Sequence, residues 1–229
     1  PDTSVQKQAI PIVDFADQID RLVTFARVST NVEFFYPGDG AFNTDWDKFI
    51  ALGMYQMAIS TSDQDFVSKM EAYFEQVAPG VEFNSSDYQM PQFSQQDEVI
   101  VWHQSSYYDR AESEPSVHSS VRAVSEYAQV LSSETMTSEN AYHKDYGNLT
   151  LDMPLILSYS GNASSPAGSA FTDSEEWLIP TDFDNPYVCL ASFTKVWAAI
   201  QSYWPYFADI DLDWETELPE LLLSCNTDD

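Results

Sequence analysis

Residues 20–46 read DRLVTFARVSTNVEFFYPGDGAFNTDW, and residues 188–214 read VCLASFTKVWAAIQSYWPYFADIDLDW. The two stretches align without a gap at an offset of 168 residues. Leu22 meets Leu190, Phe25 meets Phe193, Val28 meets Val196, Pro37 meets Pro205, Asp45 meets Asp213 and Trp46 meets Trp214. Near matches fill the intervals: Thr24 with Ser192, Arg27 with Lys195, Val32 with Ile200, Phe35 with Tyr203 and Tyr36 with Trp204. Apolar residues three and four apart predict an amphipathic helix in each stretch. A residue before proline avoids the helical region, so each helix should stop at its aromatic-Pro pair. Asp45 and Asp213 then stand where a second helix opens, as N-caps whose carboxylates accept backbone N–H groups. The Trp one position further in can close the corner by packing back on the first helix. Any two amphipathic helices share spacing, but spacing does not place an aromatic-Pro and an Asp-Trp at one offset. The pattern predicts a repeated antiparallel helix pair, a unit of architecture rather than chemistry.

Working outward, residues 1–19 begin polar and turn mildly apolar at Ile10, Ile12, Val13 and Phe15, a lead-in strand or loop. A third helix fits 63–77, with Phe66, Met70, Tyr73, Phe74 and Val77 inside and Pro79-Gly80 as its stop. Between the two helical ends lie short β-prone runs at 81–83, 98–102, 149–153 and 155–159, separated by polar, Pro- and Ser-bearing stretches. That is the pattern of an antiparallel β unit. The stretch 117–132 is open between a strand pair and a short helix. Residues 160–176, rich in Gly, Ser, Pro and Asp, read as a surface loop. The expected class is therefore α+β, with repeated antiparallel helix pairs at both ends flanking an antiparallel β unit. Residues 1–80 form the N-terminal helical region (first pair 20–58, third helix 63–77), 81–187 the β-rich unit and 188–229 the second pair.

The chain has 229 residues, nine of them Lys or Arg and thirty-seven Asp or Glu, for a net charge of −28. Aromatics make up 14%, which excludes general disorder, since a disordered acidic chain would lack them. A surface this negative repels phosphates, so neither nucleic acid nor an anionic membrane surface is an expected partner. No apolar run is long enough for a membrane span. Acidity spread over the whole chain fits an extracytoplasmic setting, whether periplasmic, surface-bound or secreted. Cys189 and Cys225 lack C-x-x-C spacing. They fall at the open ends of the two antiparallel helices of the second pair, which makes them neighbours and predicts a disulfide, permitted in that setting. The first pair carries Arg21 and Met57 at those positions, so the bridge is an addition to the unit.

No constellation for catalysis, metal or cofactor stands out. His103, His118 and His143 share no ligand spacing. Asp209, Asp211, Asp213 and Glu220 mimic a calcium loop, but the sixth position, which requires glycine, is Trp214. With so many acids, a carboxylate pair for glycoside hydrolysis is always available and carries no signal. There is no Gly-x-Ser-x-Gly turn. Aromatic side chains could line a peptide- or sugar-binding groove, although core and corners account for most of them.

The segment Arg21–Arg27, the run Phe34-Phe35-Tyr36-Pro37 and the triplet Asp45-Trp46-Asp47 together resemble the N-terminal region of bacterial C-terminal-processing (tail-specific, tricorn-type) serine peptidases. Members carry an aromatic-rich Tyr-Phe-His-Pro segment followed by Asp-Trp-Asp. The second copy, Trp204-Pro205-Tyr206-Phe207 with Asp213-Trp214, resembles the copy that leads toward the peptidase core. In the middle, Val101-Trp102-His103-Gln104 is similar to a Trp-Gln-His segment of the family, and Met153-Pro154-Leu155 to a Val-Pro-Leu. The histidine before proline is replaced by Tyr36 in one copy and Trp204 in the other. The family's catalytic core uses a serine nucleophile with a lysine base, which needs a buried lysine near a Gly-rich turn. Lys7, Lys48, Lys69, Lys144 and Lys195 offer no such arrangement. The resemblance implies a non-catalytic N-terminal region that gates or docks peptide substrate for a downstream peptidase core. The alternative is a stand-alone extracytoplasmic module binding peptide or glycan.

Overall fold

A computed structural model describes residues 7–107, 117–132, 141–204 and 213–226. Helix α1 (Ile19–Phe35) buries Leu22, Phe25, Val28 and Val32 along one face and ends at an extended Tyr36, as Pro37 demands. A short helix α2 (Asp39–Phe42) turns the chain into α3 (Trp46–Ala58). Helix α4 (Asp63–Glu75) opens on Ser62, whose hydroxyl accepts the Asp65 N–H at 3.1 Å. At the other end of the chain, α6 (Pro186–Tyr203) starts on an Asn185 cap with Pro186 in its first turn. A 3-10 turn (Trp214–Thr216) and α7 (Leu218–Leu223) follow.

Between them, among the described residues, lie eight strands and one short helix. Strands β2 (Glu82–Phe83), β6 (Thr150–Pro154) and β5 (Ala141–Asp145) form one antiparallel sheet in the order β2-β6-β5. Strands β4 (Val117–Glu126), β3 (Glu98–Tyr107), β7 (Ile156–Ser160) and β8 (Ala163–Ser165) form a second, in the order β4-β3-β7-β8. In it Ile100 pairs with both Val124 and Leu157. The lead-in β1 (Gln8–Ala9) pairs in parallel with β9 (Trp177–Leu178). The molecule is thus mixed helix and sheet, with antiparallel main sheets, as expected.

One apolar core runs through the helical and β-rich regions, joining Phe25, Phe49 and Phe74 to Leu151, Met153, Leu190 and Leu218. A small second cluster, Val99, Val101, Val130 and Ile156, sits under α5 (Tyr127–Ser132).

Several expectations need correction. The stretch 117–132 is one strand followed by a helix. Residues 160–176 are more than a surface loop: β8 adds a strand there, and Ser164 and Phe171 are buried. Gly168 lies so close to the end of the first helical region that a Cβ would stand 2.8 Å from the Val77 carbonyl oxygen. Only glycine allows that approach. The repeat expected between 20–58 and 188–229 is not matched at the second helix. Pro219 lacks an N–H and fits only a first turn, so the chain breaks into a 3-10 turn and a six-residue helix where α3 runs unbroken for 13.

Candidate functional site

The residues singled out in the sequence build two corners. At the first, the Tyr36 N–H still donates to the Val32 carbonyl at 3.1 Å, and Tyr36 is extended with φ −77° and ψ 118°. At the second, the Trp204 N–H donates to the Ile200 carbonyl at 2.9 Å, with φ −80° and ψ 113°. Asp45 accepts the Lys48 N–H at 3.3 Å and Asp213 the Glu215 N–H at 3.2 Å. Pro37 is buried; Pro205 lies outside the described residues.

The tryptophans behave differently. Trp214 packs back on α6 through a reciprocal pair: its Nε1 donates to the Trp197 carbonyl at 3.1 Å, and Trp197 Nε1 donates to the Trp214 carbonyl at 3.0 Å. Trp46 Nε1 instead donates to the Ala41 carbonyl at 3.0 Å, inside its own corner. The residue of α1 that corresponds to Trp197 is Ser29, which has no indole to return the bond.

The first corner is clamped onto the sheet. Trp102 Nε1 donates to the Tyr36 carbonyl at 3.1 Å, and Arg122 Nε donates to the Pro37 carbonyl at 2.5 Å. Asp39 accepts the Ser164 N–H at 2.6 Å, returns its own N–H to Ser164 Oγ at 2.8 Å and ion-pairs with Arg122. Burial alone would raise the Asp39 carboxyl, but the Ser164 and Arg122 donors outweigh it and hold it below its usual value. A lowered folded-state value means stability that is present above the unfolded carboxylate range and lost as pH falls through the folded value. Asp39→Asn should therefore cost about 2–3 kcal/mol at neutral pH, most of it from stranding the largely buried Arg122, and should flatten the acid limb below about pH 4. Urea unfolding at neutral and acid pH checks both; an unchanged acid limb would refute the assignment.

Beside Asp45 a cleft of about 400 Å³ opens between α3 and α6. Ala51, Val188, Ala191, Pro180 and Phe183 give it an apolar lining, with Phe183 77% exposed. Its rim is charged. Lys48 Nζ stands 2.9 Å from Asp45, and Lys195 pairs with Glu33 and lies 3.9 Å from Asp47. Burial raises the Glu33 carboxyl, and Lys195 only partly offsets it. An apolar lining with an exposed aromatic and a charged rim suits an apolar side chain on a polar backbone. Sequence reading missed Phe183; the available signal was a lone aromatic in the polar run Pro180-Thr181-Asp182-Phe183-Asp184.

His103 and His143 lie in different sheets. His143 Nδ1 lies 2.8 Å from the buried Asp152, which raises the imidazole above its usual value, while His103 is exposed on β3. The His118 side chain, Asp209 and Asp211 lie outside what is described. Among the described residues no three His, Cys, Asp or Glu side chains cluster as a metal site would need, and no helix is long and apolar enough to cross a membrane. Cys189 and Cys225 form a disulfide with Cα atoms 5.7 Å apart. Compared with family models, curated proteins and solved structures, the chain matches none.

Proposed function

We propose that this chain is a non-catalytic region of a secreted serine peptidase of the C-terminal-processing type, built on a repeated helix pair, and that it docks peptide substrate for a catalytic core. The observation that carries the reading is the shared corner geometry: an extended aromatic before proline and a capping Asp followed by Trp, at the very residues that carry the family resemblance. The cleft between α3 and α6 is the docking place in this reading. It adjoins the first corner through Asp45, and its lining suits apolar side chains of an unstructured peptide. The disulfide supports an oxidising compartment.

Purified chain mixed with an unstructured apolar-rich peptide should bind it without cleaving it, and Phe183→Ser should weaken binding about tenfold, the share of one well-buried aromatic contact. Isothermal titration and mass spectrometry of the peptide read the two outcomes. Cleavage that disappears when one of the chain's own serines is mutated would overturn the non-catalytic reading. Binding indifferent to Phe183→Ser would overturn the docking place.

A further inference from the structure

Nine residues of this chain are basic, against thirty-seven acids. Lys7, Arg21, Lys48, Lys69, Arg122 and Lys195 each hold a carboxylate within ion-pair distance. Arg110 lies outside the described residues. Among the described residues, Arg27 and Lys144 are the basic side chains with no carboxylate partner, and both line one cavity of about 270 Å³ where α1, α6 and β5 meet. Two like charges share a cleft while acids compensate the others, an arrangement that an anionic guest would relieve.

The details of the cleft sharpen this. Arg27 Nη2 donates to the Glu215 carbonyl at 2.9 Å, which fixes the guanidinium against the start of the second corner. Its Nε is buried and has no hydrogen-bond partner among the described residues. With Nε closed off and Nη2 held by a carbonyl, the guanidinium keeps its charge uncompensated at the cleft. Asn31 Nδ2 donates to Tyr146 Oη at 2.6 Å, so polar groups are already held in place around the cation. Flat walls complete the lining: the Phe35 and Tyr142 rings stack at 6.3 Å and 14°, and Trp197 lies on the α6 side. Glu215 also lines the cavity and, with the −28 net charge, disfavours a doubly charged guest. The volume falls below the range of about 300–1,000 Å³ for drug-sized ligands, so the site takes a small molecule or the end of a larger one.

We propose that this cleft binds a single carboxylate carried on an aromatic or flat apolar body, with the Arg27 guanidinium and the Lys144 ammonium facing its oxygens. The shared chemistry can come from a free small acid or from the terminal residue of a peptide. The proposal is independent of the peptidase reading and uses a different cleft.

The test is titration calorimetry of the whole chain with N-acetylphenylalanine, its amide, a pentapeptide ending in phenylalanine with free or amidated terminus, and inorganic phosphate. The free acid should bind at least about tenfold more tightly than its amide, the loss expected when a charge-assisted hydrogen bond goes. Lys144→Gln, on an exposed side chain of an edge strand, should weaken the acid about tenfold with an unchanged circular dichroism spectrum. Arg27→Lys keeps the charge, removes the planar guanidinium and should weaken binding as well. Phe183→Ser should leave it unchanged, which separates this site from the docking cleft. Tight binding of the free-terminus peptide names the peptide end as the source; binding of the small acid alone names a free acid, and either supports the proposal. Equal binding of acid and amide, phosphate tighter than carboxylate, no effect of Lys144→Gln, or no binding by any carboxylate would each overturn it.

Discussion

Phe49→Ala should lower stability by about 3–5 kcal/mol, the range for emptying a fully packed aromatic site. Phe49 is 1% exposed and sits where α1, α3, α4 and the segment carrying Phe171 meet. Its ring contacts Tyr73 at 4.4 Å, Trp46 at 5.0 Å, Phe74 at 5.3 Å and Phe171 at 5.6 Å between centroids. Tilted and edge-on pairs of this kind add to plain area burial. The neighbours cannot collapse into the space easily. Tyr73 Oη is tied to the Phe49 carbonyl at 2.7 Å, and the Asp45 N–H holds the Phe171 carbonyl at 2.7 Å. The cavity would therefore persist, which places the cost toward the upper part of the range. Phe49→Leu fills more of the site and should cost about 1–2 kcal/mol. Urea unfolding of both variants measures this. A loss below about 1 kcal/mol for Phe49→Ala would mean that the helical region relaxes around the site and that the aromatic cluster is not the keystone of the core.

The corners were legible because each rests on a local rule. Proline forces its predecessor out of the helix, and an Asp caps the next one; both act within a few residues and need no knowledge of the rest of the fold. The strand at 141–145 was not legible, and the one at 117–126 was legible only as one of two alternatives. Tyr142-His143-Lys144 has no apolar alternation, because β5 is an edge strand whose side chains are largely exposed. In β4, Val121 and Val124 are exposed too, so burial leaves no periodic mark.

The clefts were invisible for another reason. That Lys195 is paired and Lys144 is not depends on Glu33, 162 residues away in the chain, lying within ion-pair distance of Lys195, while among the described residues no carboxylate lies within that distance of Lys144. Sequence shows nine cations; only tertiary pairing shows which of them remain available. Trp46 and Trp214 differ in the same hidden way: the Trp46 indole bonds the Ala41 carbonyl close in sequence, whereas Trp214 bonds the Trp197 carbonyl and receives the Trp197 indole in return.

Removing the Cys189–Cys225 bridge should cost up to about 4 kcal/mol, the loop-closure value for a separation of 36 residues in the chain-entropy model. The cost should be concentrated at one end of the molecule. Helix α7 is six residues long, too short to hold itself, and it depends on burying Leu218 and Leu222 and on this one covalent tie. The ends of α1 and α3 that meet near Ser60 are held without cysteines. There Arg21 Nη1 donates to the Ser60 carbonyl at 2.8 Å, and Nη2 stands 2.9 Å from Asp63. A polar clamp does at one end what the bridge does at the other, and the position 168 residues after Arg21 is Cys189. Cys189→Ala with Cys225→Ala should therefore speed hydrogen exchange over 213–226 more than elsewhere, while the first corner keeps its protection. Thiol titration of the unfolded, unreduced wild-type chain should find no free thiol. Two free thiols would remove the bridge and, with it, the structural support for an extracytoplasmic setting. A stability loss spread evenly over the chain would show instead that the second corner unfolds only with the whole core.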